Sequence, residues 1–244
     1  MSLDSTNQII EVRRVPSANA WQWLVDGFKI FWQNPLMWLV LFVIYLLIIV
    51  PISLIPVVGS ITATLLAPVF SAGLMWGCKA ISESQDLEIN HLFSGFKHNT
   101  RQLVITGIIY MLGLLIIAMV ISASIDKTVM SAVVAGQTLT PGQANSVMLP
   151  LLFALLLLMP LLMAYWFAPV LVGLNGLKAV DAMKLSFSAS LHNVLPMLVY
   201  SVIVVGLMVV AIIPFGLGLF VVVPTMMTSL YTSYKDIFSF NKSV

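Results

Sequence analysis

Apolar residues between positions 21 and 32 recur at the spacing of a helix face. They are Trp21, Leu24, Val25, Phe28, Phe31 and Trp32, and the opposite stripe consists of Gln22, Asp26, Lys29 and Gln33. This spacing predicts an amphipathic helix. A helix with one aromatic apolar face and one charged face lies in the membrane interface and does not cross the membrane. We expect the helix to end at Asn34, because asparagine tolerates the left-handed conformation common just past a helix end.

Two later segments have a similar amphipathic pattern. In the first, the apolar positions are Ile89, Leu92, Phe93 and Phe96, with Ser94, Lys97 and His98 on other sides. In the second, they are Val180, Met183, Phe187 and Leu191, with Asp181, Lys184 and Ser188 on another face. We therefore predict three interfacial helices.

Long apolar runs separate these amphipathic segments. They cover residues 36–54, 61–78, 103–124, 148–174 and 194–213, and a sixth ends near residue 234. Runs of roughly 18 or more apolar residues are long enough to cross a hydrocarbon core of about 30 Å. The sequence thus predicts an all-α integral membrane protein with six transmembrane helices. The sizeable connection is a periplasmic loop at 126–146, and its composition gives no reason to assign it regular structure.

The three amphipathic segments begin three similar units. A Phe-x5-Asn signature closes each segment, a proline lies in the second apolar run of each unit, and a lysine follows. The pairs are Phe28 and Asn34, Phe93 and Asn99, and Phe187 and Asn193; the prolines are Pro68, Pro169 and Pro224, and the lysines are Lys79, Lys178 and Lys235. This shared order predicts a threefold repeat of an interfacial helix plus a transmembrane hairpin. The predicted units are 18–84, 85–178 and 179–244, after a cytosolic tail at 1–17.

Charge predicts the orientation of these spans. The chain is 60% hydrophobic and 8% charged, with a mean hydropathy of +1.06, whereas soluble domains carry about 25% charged residues. Ten of the eleven lysines and arginines fall on one side of the predicted topology, and Lys127 falls on the other. Positive residues concentrate in cytoplasmic loops. We therefore expect a multi-pass protein of the plasma membrane with both termini in the cytosol.

Residues that would indicate catalysis or ion coupling are not apparent. No Asp, Glu, Lys, Arg or His lies in the middle of a predicted span, although ion-coupled carriers usually contain such residues. The sequence contains no nucleophile elbow, zinc-protease motif or phosphate-binding loop. We expect no catalytic residue, no cofactor, no metal site and no nucleic-acid partner.

Two sets of residues are candidates for function. The basic residues Lys29, Lys97, Arg101 and Lys184 are candidate contacts for lipid head groups. Snorkelling and membrane insertion explain them most simply, and attraction to anionic lipids would add roughly 1 kcal/mol each. The prolines Pro68, Pro169 and Pro224 are candidate helix kinks. Kinks serve helix packing, or they line a substrate site.

Three stretches resemble a known family. They are VPSANAWQWLVDGFKIFWQNPLMWL at 15–39, LLAPVFSAGLMWGCKAI at 65–81 and HLFSGFKHNTRQLV at 91–104. They are similar to a family of uncharacterised proteobacterial inner-membrane proteins with a locus-tag style name. The resemblance implies a Gram-negative inner membrane and brings no activity, substrate or catalytic residue.

These observations favour a non-enzymatic inner-membrane protein that acts through lipid or protein contacts, as an accessory subunit or a membrane-organising factor. Its expected partners are membrane lipids, and either a membrane protein complex or further copies of itself. The alternative is a passive transporter or channel for a small or amphiphilic solute, suggested by the three prolines. An intramembrane enzyme ranks third and would need a polar cavity with converging Ser, His or Asp groups.

Overall fold

The computed structural model describes residues 8–242, which form eleven helices and two short strands. In chain order these are β1 (Gln8–Val12), α1 (Asn19–Gln33), α2 (Pro35–Ser53), α3 (Val58–Ser82), α4 (Ile89–Leu92), α5 (Thr100–Ser124), α6 (Lys127–Val134), α7 (Pro141–Trp166), α8 (Ala168–Asn175), α9 (Ala179–His192), α10 (Val194–Ile212), α11 (Leu219–Ile237) and β2 (Phe238–Lys242). A 3₁₀ turn, Ser94–Phe96, follows α4. The predicted all-α class is confirmed.

Within the described residues, five helical segments are long and apolar enough to cross a membrane. They are α2, α3, α5, the combined α7 and α8, and α10. Helix α11 has 19 residues but is not among them, because its second half carries hydroxyl groups, Lys235 and Asp236. The protein is therefore an integral membrane protein.

Helix α3 lies at the centre of the bundle. It packs against α2, α5, α8, α11 and the 3₁₀ turn. Its inner face is buried, including Val69, Phe70, Ala72 and Met75. The other candidate spans bury far less of their surface, and α3 is the span on which α4 and the 3₁₀ turn pack.

Two local predictions need correction. The second amphipathic segment is a single turn, α4, plus the 3₁₀ turn, since the chain packs on α3 before a longer helix can form. The tail at 1–17 contains β1; residues 1–7 of that prediction lie outside the described residues. The sequence leaves open whether the loop at 126–146 is ordered, and the loop contains α6 and the first turns of α7, because Asp126 and Thr140 cap these helices.

The reason given for the end of α1 is also wrong. Asn34 has a φ of −149°, outside the left-handed region. It begins α2 instead, because its side-chain oxygen accepts a hydrogen bond from the Met37 amide at 3.3 Å. The left-handed conformation occurs at the corresponding Asn99, where φ is 58°. The same residue type thus separates two helices by different means.

The two chain ends meet in an antiparallel pair. β1 pairs with β2 from Gln8 opposite Lys242 to Val12 opposite Phe238. The pairing continues in a hydrogen bond of 2.8 Å from the Arg13 amide to the Ile237 carbonyl. No local pattern predicts this pairing, because the partners lie more than 220 residues apart.

Candidate functional site

Each amphipathic segment packs on a hairpin helix from a different part of the chain. α1 packs on α11, α4 and the 3₁₀ turn pack on α3, and α9 packs on α7 and α8. In terms of the predicted units, the segment of unit 1 contacts unit 3, that of unit 3 contacts unit 2, and that of unit 2 contacts unit 1. Each predicted unit therefore contacts the amphipathic segment of one other unit, in cyclic order.

Helices α1 and α11 run side by side in opposite directions. The Thr232 hydroxyl donates to the Trp23 carbonyl and the Thr228 hydroxyl donates to the Gly27 carbonyl, both at 2.8 Å. Both steps are four residues, about one helical turn. Asp236, one turn further along α11, accepts a hydrogen bond of 2.7 Å from the Trp23 indole N–H. α1 therefore lies alongside the polar second half of α11, with the opposite chain direction.

A glycine allows this close approach. A Cβ atom added at Gly27 would lie 2.7 Å from the backbone nitrogen of Ser229. Small residues at helix contacts let backbones approach and hydroxyl groups bridge them. The signals in the sequence were the threonines four residues apart in α11, but nothing in the sequence pairs them with α1.

In the contact between α9 and α7, hydrogen bonds to the backbone are made by the hydroxyl of Ser186. The Phe167 amide donates to the Ser186 hydroxyl at 2.9 Å, and that hydroxyl donates to the Met163 carbonyl at 2.8 Å. In an unbroken helix the amide of residue 167 would bond to the carbonyl of residue 163 directly. The hydroxyl is inserted into this bond, which is a known cause of helix breaks.

Helix α1 has three faces. The buried face consists of Ala20, Trp23, Leu24, Gly27, Ile30 and Phe31. The exposed apolar face contains Trp21, Phe28 and Trp32, which are 57%, 40% and 65% exposed. The third face is the polar stripe named above. At about 100° per residue the three faces point roughly 120° apart, which fits a helix bounded by protein, lipid and water. The apolar pattern of the sequence places Leu24 and Phe31 on the lipid-facing side, and it does not predict the separate side that packs on the protein.

Helix α9 repeats this arrangement position by position. Asn34 and Asn193 are 159 residues apart, and adding 159 to each buried position of α1 gives a buried position of α9. The buried residues of α9 are Ala179, Ala182, Met183, Ser186, Ala189 and Ser190. Val180 and Leu191, which correspond to Trp21 and Trp32, are exposed. Both helices therefore present the same face to the protein.

An apolar groove lies beside each of these two helices. The first has a volume of about 320 Å³ and is lined by Trp21, Leu24, Val25 and Phe28 of α1, Leu207 of α10, and Val221, Val222, Thr225 and Met226 of α11. The second, of about 270 Å³, is lined by Val180, Met183, Lys184 and Phe187 of α9, Ile109 of α5 and Ala164 of α7. The lining positions of α1 and α9 again differ by 159. A further apolar cavity of about 290 Å³ lies between α7 and the junction of α9 and α10.

The four candidate lipid-contact residues are all exposed, and the structure does not bring them together in one site. Lys29 pairs with Asp26 at 2.7 Å on the polar face of α1, and this hydrogen bond holds the pKa of the Asp26 carboxyl below its usual value. Lys97 follows the 3₁₀ turn and Arg101 lies in the first turn of α5. Lys184 lines the second groove.

The three prolines are buried but do not act alike. Helices α3 and α11 continue through Pro68 and Pro224. The helix before Pro169 ends at Trp166, and α8 begins at Ala168. The break at that position has an observed cause in Ser186, whereas kinks at the other two prolines stay predictions.

A mixed-charge cavity of about 440 Å³ lies where β1, α1 and α11 meet. Its lining includes Arg13, Asn19, Asp26, Lys235 and Asp236. The Asn19 amide donates to the Asp236 carboxylate at 2.8 Å, and the Arg13 guanidinium donates to the Asp236 carbonyl at 2.8 Å. The sequence could not indicate this cluster, because its members come from opposite ends of the chain. Its contacts join the two chain ends.

Comparisons with known proteins agree with an integral membrane protein. Residues 92–238 match a domain of unknown function, DUF7847. A probable inner membrane protein of Burkholderia thailandensis is 28% identical over 195 residues, covering 76% of this chain and 71% of that protein. No solved structure matches the chain. The resemblance to uncharacterised proteobacterial inner-membrane proteins is confirmed.

Proposed function

Because the chain belongs to the DUF7847 family and is similar to a probable inner membrane protein, we propose that it is a non-enzymatic protein of the bacterial inner membrane. In this proposal it acts through lipid or protein contacts, as an accessory subunit or a membrane-organising factor. Membrane lipids are its first partners, and a membrane protein complex or a second copy is the other class of partner.

The proposed topology has six spans and both termini in the cytosol. Strands that pair with each other must lie on the same side of a membrane, so the pairing of β1 with β2 supports an even number of spans. Five segments are candidate spans, and α11 is the remaining long helix of the described chain. The apolar first half of α11 would lie in the hydrocarbon, and its polar second half would lie with α1 at the cytosolic interface. The concentration of lysine and arginine favours the cytosol for both ends.

A threefold repeat is part of the same proposal. Helices α2 and α10 have the same length, and both bounds of α10 lie 159 residues after those of α2. The matching buried faces of α1 and α9, and the matching grooves beside them, also support the repeat. The shortened α4 segment is the unit that departs most from the pattern.

The observation that supports the lipid role most directly is the groove that recurs beside α1 and α9. Each groove joins the exposed apolar face of an amphipathic helix to two neighbouring helices. Such a helix buries its apolar face among acyl chains and keeps its polar face in water. Lys29, Lys97, Arg101 and Lys184 would then contact lipid head groups from the cytosolic side.

Native mass spectrometry of the protein extracted with its surrounding bilayer tests this proposal. We expect either specifically retained lipid or a stoichiometric second protein. A monomer that carries no preferred lipid and no partner would contradict the proposal.

Reporter fusions at both termini and after Lys127 test the topology, with cytosolic signals expected from the termini and a periplasmic signal from the loop.

The transporter alternative has less support. A bundle cavity between α2, α3 and α11 has a volume of about 90 Å³ and is lined mainly by apolar and aromatic side chains, including Tyr45, Phe70 and Leu74. Pockets for small molecules usually have volumes of about 300 Å³ or more. Flux measurements in proteoliposomes would favour this alternative if they showed solute passage that depends on the protein.

A further inference from the structure

We propose that the second groove, formed by α5, α7 and α9, binds one anionic phospholipid. An acyl chain would lie against the apolar lining, and the phosphate would lie beside Lys184. This inference rests on the proposed lipid role and adds the lipid class, the position of the site and its stoichiometry.

The groove has the shape and lining that an acyl chain requires. Its walls are Ile109, Ala164, Met183 and Phe187, and its volume is about 270 Å³. The three helices that form it pack on one another. The Ser186 hydroxyl also fixes α9 to the backbone of α7. The walls are therefore held in place before any lipid arrives.

Positive charge lies beside this groove. Lys184 is exposed and is the charged residue of the lining. The Ala179 amide donates a hydrogen bond of 2.9 Å to the Gln102 side chain, which places Arg101 and Lys178, their sequence neighbours, at the same junction. Asp181 is the acidic residue of this part of α9. Three cations against one carboxylate favour an anionic head group.

The first groove provides an internal comparison. Its lining positions on α1 match those on α9, but Val25 stands where α9 has Lys184. An acyl chain can occupy either groove, whereas only the second has a cation in its lining. Selectivity for anionic lipid is therefore expected at one groove of the pair.

Lipid retention by the full-length protein tests the inference. The protein is incorporated in nanodiscs of phosphatidylcholine with a minor fraction of phosphatidylglycerol, then released, and its retained lipids are counted by native mass spectrometry. We expect one retained phosphatidylglycerol per chain. Lys184→Val should lower its preference over phosphatidylcholine about fivefold, the factor that one basic residue near a phosphate provides. Val25→Lys should add a second retained phosphatidylglycerol.

Control variants separate this site from general surface charge. Lys79→Gln removes a half-buried cation that pairs with Glu83 and lies outside the groove, so it should leave the preference unchanged. Lys184→Gln, which keeps a polar side chain, should behave as Lys184→Val does if the charge is responsible. If both Lys184 variants retain phosphatidylglycerol like the unaltered protein, the groove assignment is overturned while the lipid role survives. If the unaltered protein retains neither lipid, both the groove assignment and the lipid role fail.

Discussion

Ser186 shows how a single hydroxyl group can replace a helix hydrogen bond. The hydroxyl both accepts from the Phe167 amide and donates to the Met163 carbonyl, so neither backbone group is left without a partner inside the protein. Pro169 lies two residues after Phe167, and proline has no amide hydrogen to donate to the helix. The break between α7 and α8 is therefore stabilised by a residue of α9.

We expect Ser186→Ala to destabilise the protein by about 1–3 kcal/mol, because the buried Phe167 amide would lose this acceptor, while the Met163 carbonyl would keep only the hydrogen bond from Ser190. Denaturant unfolding in mixed micelles measures the effect. Ser188→Ala is the matched control, since this exposed hydroxyl lies on the polar side of the same helix, and its change should stay within about 0.5 kcal/mol. Unchanged stability of Ser186→Ala would mean that residues 163 and 167 re-form their own hydrogen bond.

Two helical glycines should respond to alanine in opposite ways. Gly27→Ala places a methyl group 2.7 Å from the Ser229 backbone, and overpacking of this kind costs about 1–3 kcal/mol. Gly206, within α10, has no heavy atom within 4 Å of an added Cβ. Gly206→Ala should be neutral or stabilising by up to about 1 kcal/mol, because alanine favours helix. Thermal unfolding of the two variants compares them; equal effects would argue against the close contact of α1 with α11.

Helix α11 has two halves with different surroundings. Its first half is apolar, whereas its second half presents Thr228, Thr232 and Asp236 to α1. The mean hydropathy of the whole helix is too low for a candidate span, because the polar half offsets the apolar half. Hydrogen bonding to α1 explains why these polar residues lie next to an apolar run.

Helix α6 depends on a local cap. The Asp126 carboxylate accepts a hydrogen bond of 2.8 Å from the Thr128 amide, and the hydrogen bonds from Thr128 lower the pKa of this carboxyl. Asp126→Ala should destabilise the helix by removing its N-cap, seen as faster hydrogen exchange over 127–134. Asp126→Asn retains an accepting oxygen and should exchange nearly as the unaltered protein does. Equal exchange in all three proteins would show that tertiary contacts, and not the cap, maintain α6.

At the level of the complete chain, the strand pair joins the beginning of the protein to its end. The Asn193 side chain strengthens this junction, because it accepts from the Val15 amide at 2.9 Å and donates to the Arg13 carbonyl at 3.0 Å. The residue that separates α9 from α10 thus also fixes the segment leading into α1.

Cysteines at Glu11 and Ser239 should form a disulfide across the strand pair. These residues are partners in the register, and directly opposed Cβ atoms in antiparallel strands lie close to the distance a disulfide needs. We expect Glu11→Cys with Ser239→Cys to give a shifted band on a non-reducing gel after mild oxidation of membranes. Each single variant and the pair Glu11→Cys with Ser84→Cys should not shift. A yield no higher than in these controls would contradict the pairing.

The sequence predicted the parts of the structure that depend on local pattern. The apolar runs located all the long helices, because length and hydropathy decide which segments enter a membrane. The aromatic stripe located α1, but its protein-facing side was missed because Ala20, Gly27 and Trp23 do not resemble a continuous apolar stripe. The Ser186 bridge, the two grooves and the cluster around Asp236 require residues distant in sequence, and a single sequence contains no signal that joins them.

The packing of α1 on α11 also has a consequence for biosynthesis. Domains fold from the N-terminus first as the chain leaves the ribosome, and α1 precedes α11 by more than 180 residues. At about 5–20 residues per second, α11 therefore follows α1 after roughly 10–40 seconds. Until then the face of α1 that carries Trp23 has no α11 to pack on, so the nascent chain must keep an apolar helix at the membrane surface. A ribosome that stalls before α11 would leave the five candidate spans made and α1 still without its main packing partner.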